Sequence, residues 1–446
     1  MDCIASSKKY KYSVLAGNIP AHDNRSLPQS VYHTSWSYGG FLNKILTRGI
    51  FLVTCIICFT SALTWINLVT VPDQPVCISR HDQEPKVNVT QICRSMDYRK
   101  SSRFLTNFKH ILLWNAPDYA PFYYFGKGQR AFLQNNCSAI NCYVTSKRKF
   151  FGADTTKFDA IAFNGRLLKT DDLPKNRTMY QKFIFFNMES ADKYPVCNGI
   201  FDGFFNWTST YRLNSDIPSP YLMVRNNTGQ VIGPKADVGW ENDFPEITEE
   251  YSWKLMKKSK AAAWFVSNCL TRSRREDYVK RLQDKLALYG HTVDVYGKCR
   301  PLKCPRQQKK LCNTRLETDY FFYLSLENSF AEDYVTEKLL TALQHDVVPI
   351  VYGGANYERF LPPGSYIDAR KYNAADLAAL MDRIIKTPKI YQQFFRWKSQ
   401  LTYSDPSLVE NVCELCKALN DQEKFQEKSV YDKFRMWWNP NYHNRC

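Results

Sequence analysis

Tyr334, Glu337, Lys338 and Thr341 recur at spacings i, i+3, i+4 and i+7, which is one face of a helix. Val335, Leu339, Leu340, Ala342 and Leu343 fill the opposite face. Ser329 and Glu332 have capping-box spacing, so a helix is predicted from Glu332 to His345. A lysine one turn into a helix suits a phosphate group. A Glu–Lys pair on a helix face is also ordinary solvated surface, and spacing alone does not separate the two. Arg272, Arg274 and Arg275 fall between a predicted strand and the helix after it, where guanidinium forks can grip a diphosphate. By composition alone they are equally a solubilising surface. Glu189 follows the apolar run Phe183–Phe186 and should stand at a strand's C-terminal lip. Taken by itself it is a surface turn glutamate.

These side chains need elements to carry them. Ala261–Val266, Thr292–Tyr296, Tyr320–Leu326 and Val347–Tyr352 have strand length, and helical patterns separate them, beginning with Arg274–Tyr289. That alternation predicts a parallel sheet flanked by helices, with ligands bound beyond the C-terminal ends of the strands. Upstream, His110–Trp114, Phe158–Phe163 and Phe183–Phe186 also read as strands. The acidic stretch Glu241–Glu250, which contains Pro245, suits a linker between two units.

The chain has 446 residues and a net charge of +17, with 44 % apolar and 15 % aromatic residues. The composition is globular. Residues 50–71 carry no charge, which is enough to cross a hydrocarbon core of about 30 Å as a helix. Lys44 and Arg48 abut this stretch, and Asp73 is the first charge after it. The positive-inside rule then keeps residues 1–49 cytosolic and puts the rest on the lumenal side. Sequons at Asn88, Asn136, Asn176, Asn206 and Asn226 agree with that topology. So do the 12 of 15 cysteines beyond the span, read as disulfides rather than metal ligands. Cys446 is a candidate partner for Cys413 or Cys416, and Cys299, Cys304 and Cys312 form another cluster.

Residues 254–310 hold 16 basic residues against four acidic ones, so the positive charge is concentrated there. A lumenal chain is separated from chromosomal DNA, so no nucleic-acid partner is expected. Asp-x-Asp, the usual clasp for a metal diphosphate, does not occur, and neither does His-Glu-x-x-His. No metal site is assigned.

A family resemblance rests on Phe322–Ser329 (FYLSLENS), Asp333–Lys338 (DYVTEK), Val347–Val351 (VVPIV) and Asn356–Pro363 (NYERFLPP). It extends to Asn187–Ser190, Phe205–Thr208, Thr210–Arg212, Asp216–Pro218, Val266–Asn268 and Phe395–Lys398. These segments resemble the signature of the α1,3-fucosyltransferases, glycosyltransferase family 10, over roughly residues 104–420.

The resemblance implies an α/β, GT-B fold: two Rossmann-like domains facing across a cleft, preceded by one transmembrane helix. The expected division is a tail (1–49), a signal-anchor (50–71), a stem (72–103), an acceptor-side domain (104–245) and a donor domain (246–446). It also implies a Golgi type II enzyme that transfers L-fucose from GDP-β-L-fucose with inversion, in α1,3 linkage, to GlcNAc of N-glycans. Asn328, Tyr334, Glu337 and Lys338 match donor-site positions, with Glu337 on the ribose hydroxyls and Lys338 on the diphosphate. The arginine seven residues after Asn268 points to Arg275 as a phosphate contact, with Arg272 and Arg274 as alternatives. The Glu189–Ser190 pair matches the position of the catalytic base. Lys338 and Arg275 can supply the leaving-group charge that a metal otherwise would, so no obligatory metal or other cofactor is expected. Lys298–Pro305 (KCRPLKCP) resembles invertebrate and core-type members, which favours the innermost GlcNAc over antennal N-acetyllactosamine. The competing class is a lectin-like lumenal protein without turnover, since exposed Trp and Tyr suit sugar stacking.

Overall fold

The computed structural model describes residues 108–446 apart from 242, 299, 301 and 407. The predicted span at 50–71, its tail, the stem and Asn88 lie outside these residues. Among the described residues no helix is long and apolar enough to cross a membrane.

The first sheet is built from β1 (Lys109–Leu113), β2 (Cys142–Thr145), β3 (Ala160–Asn164), β4 (Lys182–Asn187) and β5 (Trp207–Thr210). Its order is β2-β1-β3-β4-β5, and every neighbouring pair is parallel. A parallel sheet covered on both faces needs near-continuous apolar strands. β4 meets this requirement, with all of Lys182–Asn187 buried.

A small antiparallel layer follows, β6 (Met223–Asn226) and β7 (Val231–Gly233). The second sheet contains β8 (Lys260–Phe265), β9 (Val293–Tyr296), β10 (Tyr320–Leu326), β11 (Val348–Tyr352) and β12 (Ile367–Asp368). Its order is β12-β11-β10-β8-β9, again parallel throughout. β13 (Leu401–Ser404) then pairs antiparallel with β6 and ties the two halves together. The expected pair of Rossmann-like sheets is therefore present.

Helix α1 (Arg275–Leu286) connects β8 to β9 and buries Tyr278, Val279, Leu282 and Leu286. Those positions form one stripe of a 3.6-residue period. Helix α2 (Glu337–Leu343) connects β10 to β11 and is shorter than predicted. Asp333 takes the left-handed conformation (φ 57°), which breaks the predicted first turn, and Thr336 is the N-cap. Ser329 does not cap a helix; its hydroxyl donates to Asn328 Oδ1 at 3.0 Å.

The C-terminal segment departs from the expected two-part division. α3 (Leu408–Asn420) places Val412, Leu415 and Leu419 in the same core as Ile111, Val144 and Ile184 of the first sheet. α4 (Phe434–Trp438) stacks Phe434 and Trp438 edge-on against Phe185 of β4 at 4.8 and 5.0 Å. Residues beyond about 408 thus complete the first sheet's layer rather than the second's.

Disulfides fix this return: Cys137–Cys413, Cys142–Cys416 and Cys197–Cys446, with Cys304–Cys312 closing a local loop. Cys446 therefore pairs with Cys197, and the expectation of Cys413 or Cys416 is corrected. Both of those sulfurs are taken, by Cys137 just before β2 and by Cys142 in it. A crosslink over 276 residues removes roughly 5 kcal/mol of unfolded-chain entropy in the chain-entropy picture.

Candidate active site

β10 is buried along its whole length, and the next residue, Glu327, is also buried. An ionised carboxylate in such a place must be paired and hydrogen-bonded. The chain after Glu327 folds back to provide this. Oε1 accepts from Thr336 N at 2.9 Å and Thr336 Oγ1 at 2.8 Å, while Oε2 accepts from Lys338 Nζ at 3.0 Å.

The fold-back needs a tight crossing and a firm hinge. At Gly354 a Cβ atom would stand 2.5 Å from Ala331 N, so only glycine lets this loop close. At the hinge, buried Asp333 accepts from Leu213 N at 3.1 Å and from Arg359 at 3.2 Å. Burial opposes charge on Lys338, but the Glu327 and Glu337 carboxylates outweigh it and hold the ammonium above its ordinary range. The result is a fixed, permanently charged cation at the C-terminal end of the second sheet. Such a group stabilises a departing anion without reorganising.

Glu189 lies two residues past β4 on the first sheet. Its backbone N–H donates to Asn187 Oδ1 at 2.8 Å, an Asx-type turn that aims the side chain off the strand end. The loop is pinned further by Tyr211, whose hydroxyl accepts from Ala191 N at 2.8 Å, and by Tyr221, whose hydroxyl donates to Met188 O. Arg166 and Lys193 stand 3.8 and 3.9 Å from the Glu189 oxygens, near enough for charge attraction and too far for a hydrogen bond. Neither cation hydrogen-bonds to the carboxylate.

The two strand ends meet across Tyr221 and Tyr334. Burial, then the carboxylates of Glu337, Glu189 and Glu327, push the Tyr221 hydroxyl far up from its ordinary value. Burial, Tyr221, Glu327 and Glu189 act the same way on Tyr334. The same two phenols therefore lie within electrostatic reach of Glu189 on one half and Glu327 on the other. A cavity of about 400 Å³ opens near Ala191; Tyr221, Tyr334, Glu189 and Lys338 do not line it. Ala191 and Asn439–Asn441 form one wall, and Phe330–Glu332, Gly354 and Arg370 form the other.

Two family models match this chain. "Fucosyltransferase, N-terminal" covers residues 106–222, and "Glycosyltransferase family 10 (fucosyltransferase) C-term" covers 255–437. The chain is 33 % identical to Drosophila melanogaster alpha-(1,3)-fucosyltransferase C, over 81 % of this chain and 85 % of that one. The chain belongs to glycosyltransferase family 10. It is 29 % identical to the Drosophila melanogaster glycoprotein 3-alpha-L-fucosyltransferase A, over 70 % of this chain and 57 % of that relative. It is 32 % identical to the Homo sapiens 4-galactosyl-N-acetylglucosaminide 3-alpha-L-fucosyltransferase FUT6, over 72 % of this chain and 81 % of that one. The chain is accordingly a fucosyltransferase.

Within this fucosyltransferase the residues expected at the donor site fall into different places. Glu337 and Lys338 share the first turn of α2, with the Glu337 side chain 66 % exposed and 3.3 Å from Lys338 Nζ. Thr341 Oγ1 is used within the helix, donating to Glu337 O at 2.9 Å. Asn328 sits at the β10 exit, where its carbonyl accepts from Ser273 N at 3.2 Å. Tyr334 is not on the polar face of a helix. It precedes α2, is 3 % exposed and stacks edge-on to Tyr211 at 4.9 Å. After the turn at Asp333 it packs between the halves, against Tyr211 and Tyr221.

Arg275 also differs from expectation. It is 2 % exposed, and its guanidinium donates to Leu326 O at 2.5 Å and Asn268 O at 3.2 Å. Those carbonyls hold the fork beneath the strand ends, so it adds charge under the site and does not present an open clamp. Arg272 and Arg274 are exposed, and Arg274 pairs with Asp277 at 2.8 Å.

Among the sequons, Asn136 and Asn176 are exposed and Asn226 is half-buried. Asn206 is 8 % exposed; its Oδ1 accepts from Phe183 N, and its Nδ2 donates to Ser429 O at 2.7 Å. That engaged nitrogen has no room for a glycan in this folded state, which corrects the expectation for Asn206. Among the described residues no group of three or more His, Cys, Asp or Glu side chains could hold a metal.

Glu327, Thr336 and Tyr221 escaped the sequence reading. The signal for Glu327 was present: an acid directly after seven apolar-rich strand residues, with a lysine 11 positions on.

Proposed function

We propose that this enzyme transfers L-fucose from GDP-β-L-fucose, with inversion, to O3 of GlcNAc in N-glycans of glycoproteins. Glu189 takes the proton of the acceptor hydroxyl as its oxygen bonds to the anomeric carbon. The bond from that carbon to the diphosphate oxygen breaks, and the pair of electrons leaves on GDP. Lys338, held by Glu327 and Thr336, neutralises the charge that builds on the diphosphate. Glu337, open to solvent beside it, takes the ribose hydroxyls, and Asn328, at the β10 exit, completes the donor side. The observation that supports the reading is a carboxylate at the β4 end, flanked by Arg166 and Lys193 without a hydrogen bond to either, together with a cation held by a buried carboxylate at the β10 end.

Because Lys338 supplies the positive charge, catalysis is proposed to need no divalent metal or other cofactor. Full loss of activity in EDTA, restored by Mn²⁺, would contradict this. The preferred acceptor is proposed to be the innermost GlcNAc, supported by the core-type character of Lys298–Pro305. The enzyme is proposed to sit in the Golgi membrane as a single-pass type II protein, anchored by residues 50–71 and with its catalytic part lumenal. Transfer of labelled fucose to a biantennary glycopeptide, followed by mapping of the new residue by mass spectrometry, tests the donor, the linkage and the acceptor together.

A further inference from the structure

The loop that follows Glu189 is held mostly by the far end of the chain. Asn439 Nδ2 donates to Ala191 O at 3.1 Å, and Trp438 Nε1 donates to Tyr194 O at 2.9 Å. Arg445 pairs with buried Asp192, and Arg435 donates to Cys197 O at 3.1 Å. Cys446 is bonded to Cys197 across 249 residues of sequence. Five contacts thus land within Ala191–Cys197, which begins two residues after Glu189.

Asn439 is buried, and its Oδ1 accepts from Asn441 N at 3.0 Å, so its amide is fixed at both ends. The same Asn439–Asn441 turn walls the cavity whose opposite side is Phe330–Glu332. That cavity offers the exposed ring of Phe330 and the side chains of Asn441 and Arg370, while the Glu332 carboxylate on its wall is paired with Arg212 at 2.6 Å; an aromatic ring beside polar groups suits a saccharide. None of these five contacts involves α2, which carries Lys338; the tail meets that half at Tyr334 and Ala331, which share a core with Phe434 and Trp438.

We propose that the C-terminal segment 434–446 is a working part of the acceptor side of the site. Asn439 is a positioning residue that sets the Glu189 loop through Ala191 O, the Cys197–Cys446 bond holds the segment in register, and Pro440 and Asn441 face the acceptor saccharide. The inference rests on Glu189 as the base. A shift of about 1 Å in a catalytic group costs on the order of a hundredfold in rate, so a loosened loop should be read mainly in acceptor turnover.

The test compares Asn439→Ala, the double variant Cys197→Ser/Cys446→Ser and Glu189→Gln in the full chain. Steady-state rates are measured with GDP-fucose and a biantennary glycopeptide, together with thermal unfolding. The expected result is a fall of about tenfold or more in kcat/KM for the glycopeptide in both tail variants. The KM for GDP-fucose should stay within about twofold. Unchanged acceptor kinetics in Asn439→Ala, beside lost turnover in Glu189→Gln, overturns the positioning role alone. Parallel loss of both substrates' constants with the melting temperature overturns it in favour of a general stabilising role. Near-normal turnover of Glu189→Gln overturns the base assignment itself.

Discussion

The ammonium of Lys338 lies 3.0 Å from the carboxylate of Glu327, a residue 11 positions earlier and at the end of a different element. Both groups are largely withdrawn from water, and Thr336 hydrogen-bonds to both. The Lys338 ammonium is therefore oriented by the end of the strand that precedes it, and the loop between them is what that placement requires.

Glu327→Gln leaves Lys338 beside a neutral amide. Breaking a buried ion pair from one side costs about 3 kcal/mol or more. Urea unfolding should show a loss of that order, and the KM for GDP-fucose should rise because the ammonium is no longer aimed. Unaltered stability and donor kinetics would mean that the pair is incidental.

Lys338→Ala removes the charge proposed to meet the leaving diphosphate. Loss of one preorganised electrostatic contact costs about 10² to 10³ in kcat. Single-turnover rates at saturating GDP-fucose check this directly. A change confined to KM would reassign the residue to ground-state binding.

Asp346, below the second sheet, sets part of the acid limit of the fold. Burial alone would raise its pKa, but Lys398, Lys254 and the Tyr251 hydroxyl outweigh that and hold it well below the ordinary carboxylate range. A depressed folded-state pKa contributes stability that is present above the unfolded value near 3.8 and is lost as pH falls through the folded value. Asp346→Asn should lower stability at pH 7 by about 3 kcal/mol and flatten the acid-side slope. Melting curves between pH 7 and pH 3 for both proteins show whether the slope depends on this group.

Glycan occupancy should follow burial. Peptide mapping of the full chain purified from a eukaryotic host should find glycans at Asn136 and Asn176 and none at Asn206, whose amide nitrogen is spent on Ser429 O. A fully occupied Asn206 would require a different local fold of β5.

The strands were legible because burial on both faces leaves a simple mark. Tyr320–Leu326 was delimited to the residue, since apolar side chains run without alternation between Asp319 and Glu327. α1 was legible from its single apolar stripe. The start of α2 was misread for a definable reason: Ser329 and Glu332 have cap spacing, but the left-handed Asp333 lies between them and the helix. The same periodicity places Tyr334 on the helix face, because a count of spacings cannot register a turn that rotates one residue into the junction. The return of residues 408–446 to the first sheet was not legible either. Twelve cysteines admit many pairings, and only the placed backbone selects Cys197 for Cys446.

The central claim is that Glu189 deprotonates the acceptor hydroxyl in a fucosyl transfer. It is tested most directly by giving the wild-type chain and Glu189→Gln the same GDP-fucose and biantennary glycopeptide and comparing kcat, with the product mapped by mass spectrometry. The account predicts an α1,3-linked fucose on the innermost GlcNAc with the wild type. It predicts a drop of about 10² to 10⁴ in kcat for the variant with GDP-fucose binding retained. Equal turnover by the two proteins would contradict it.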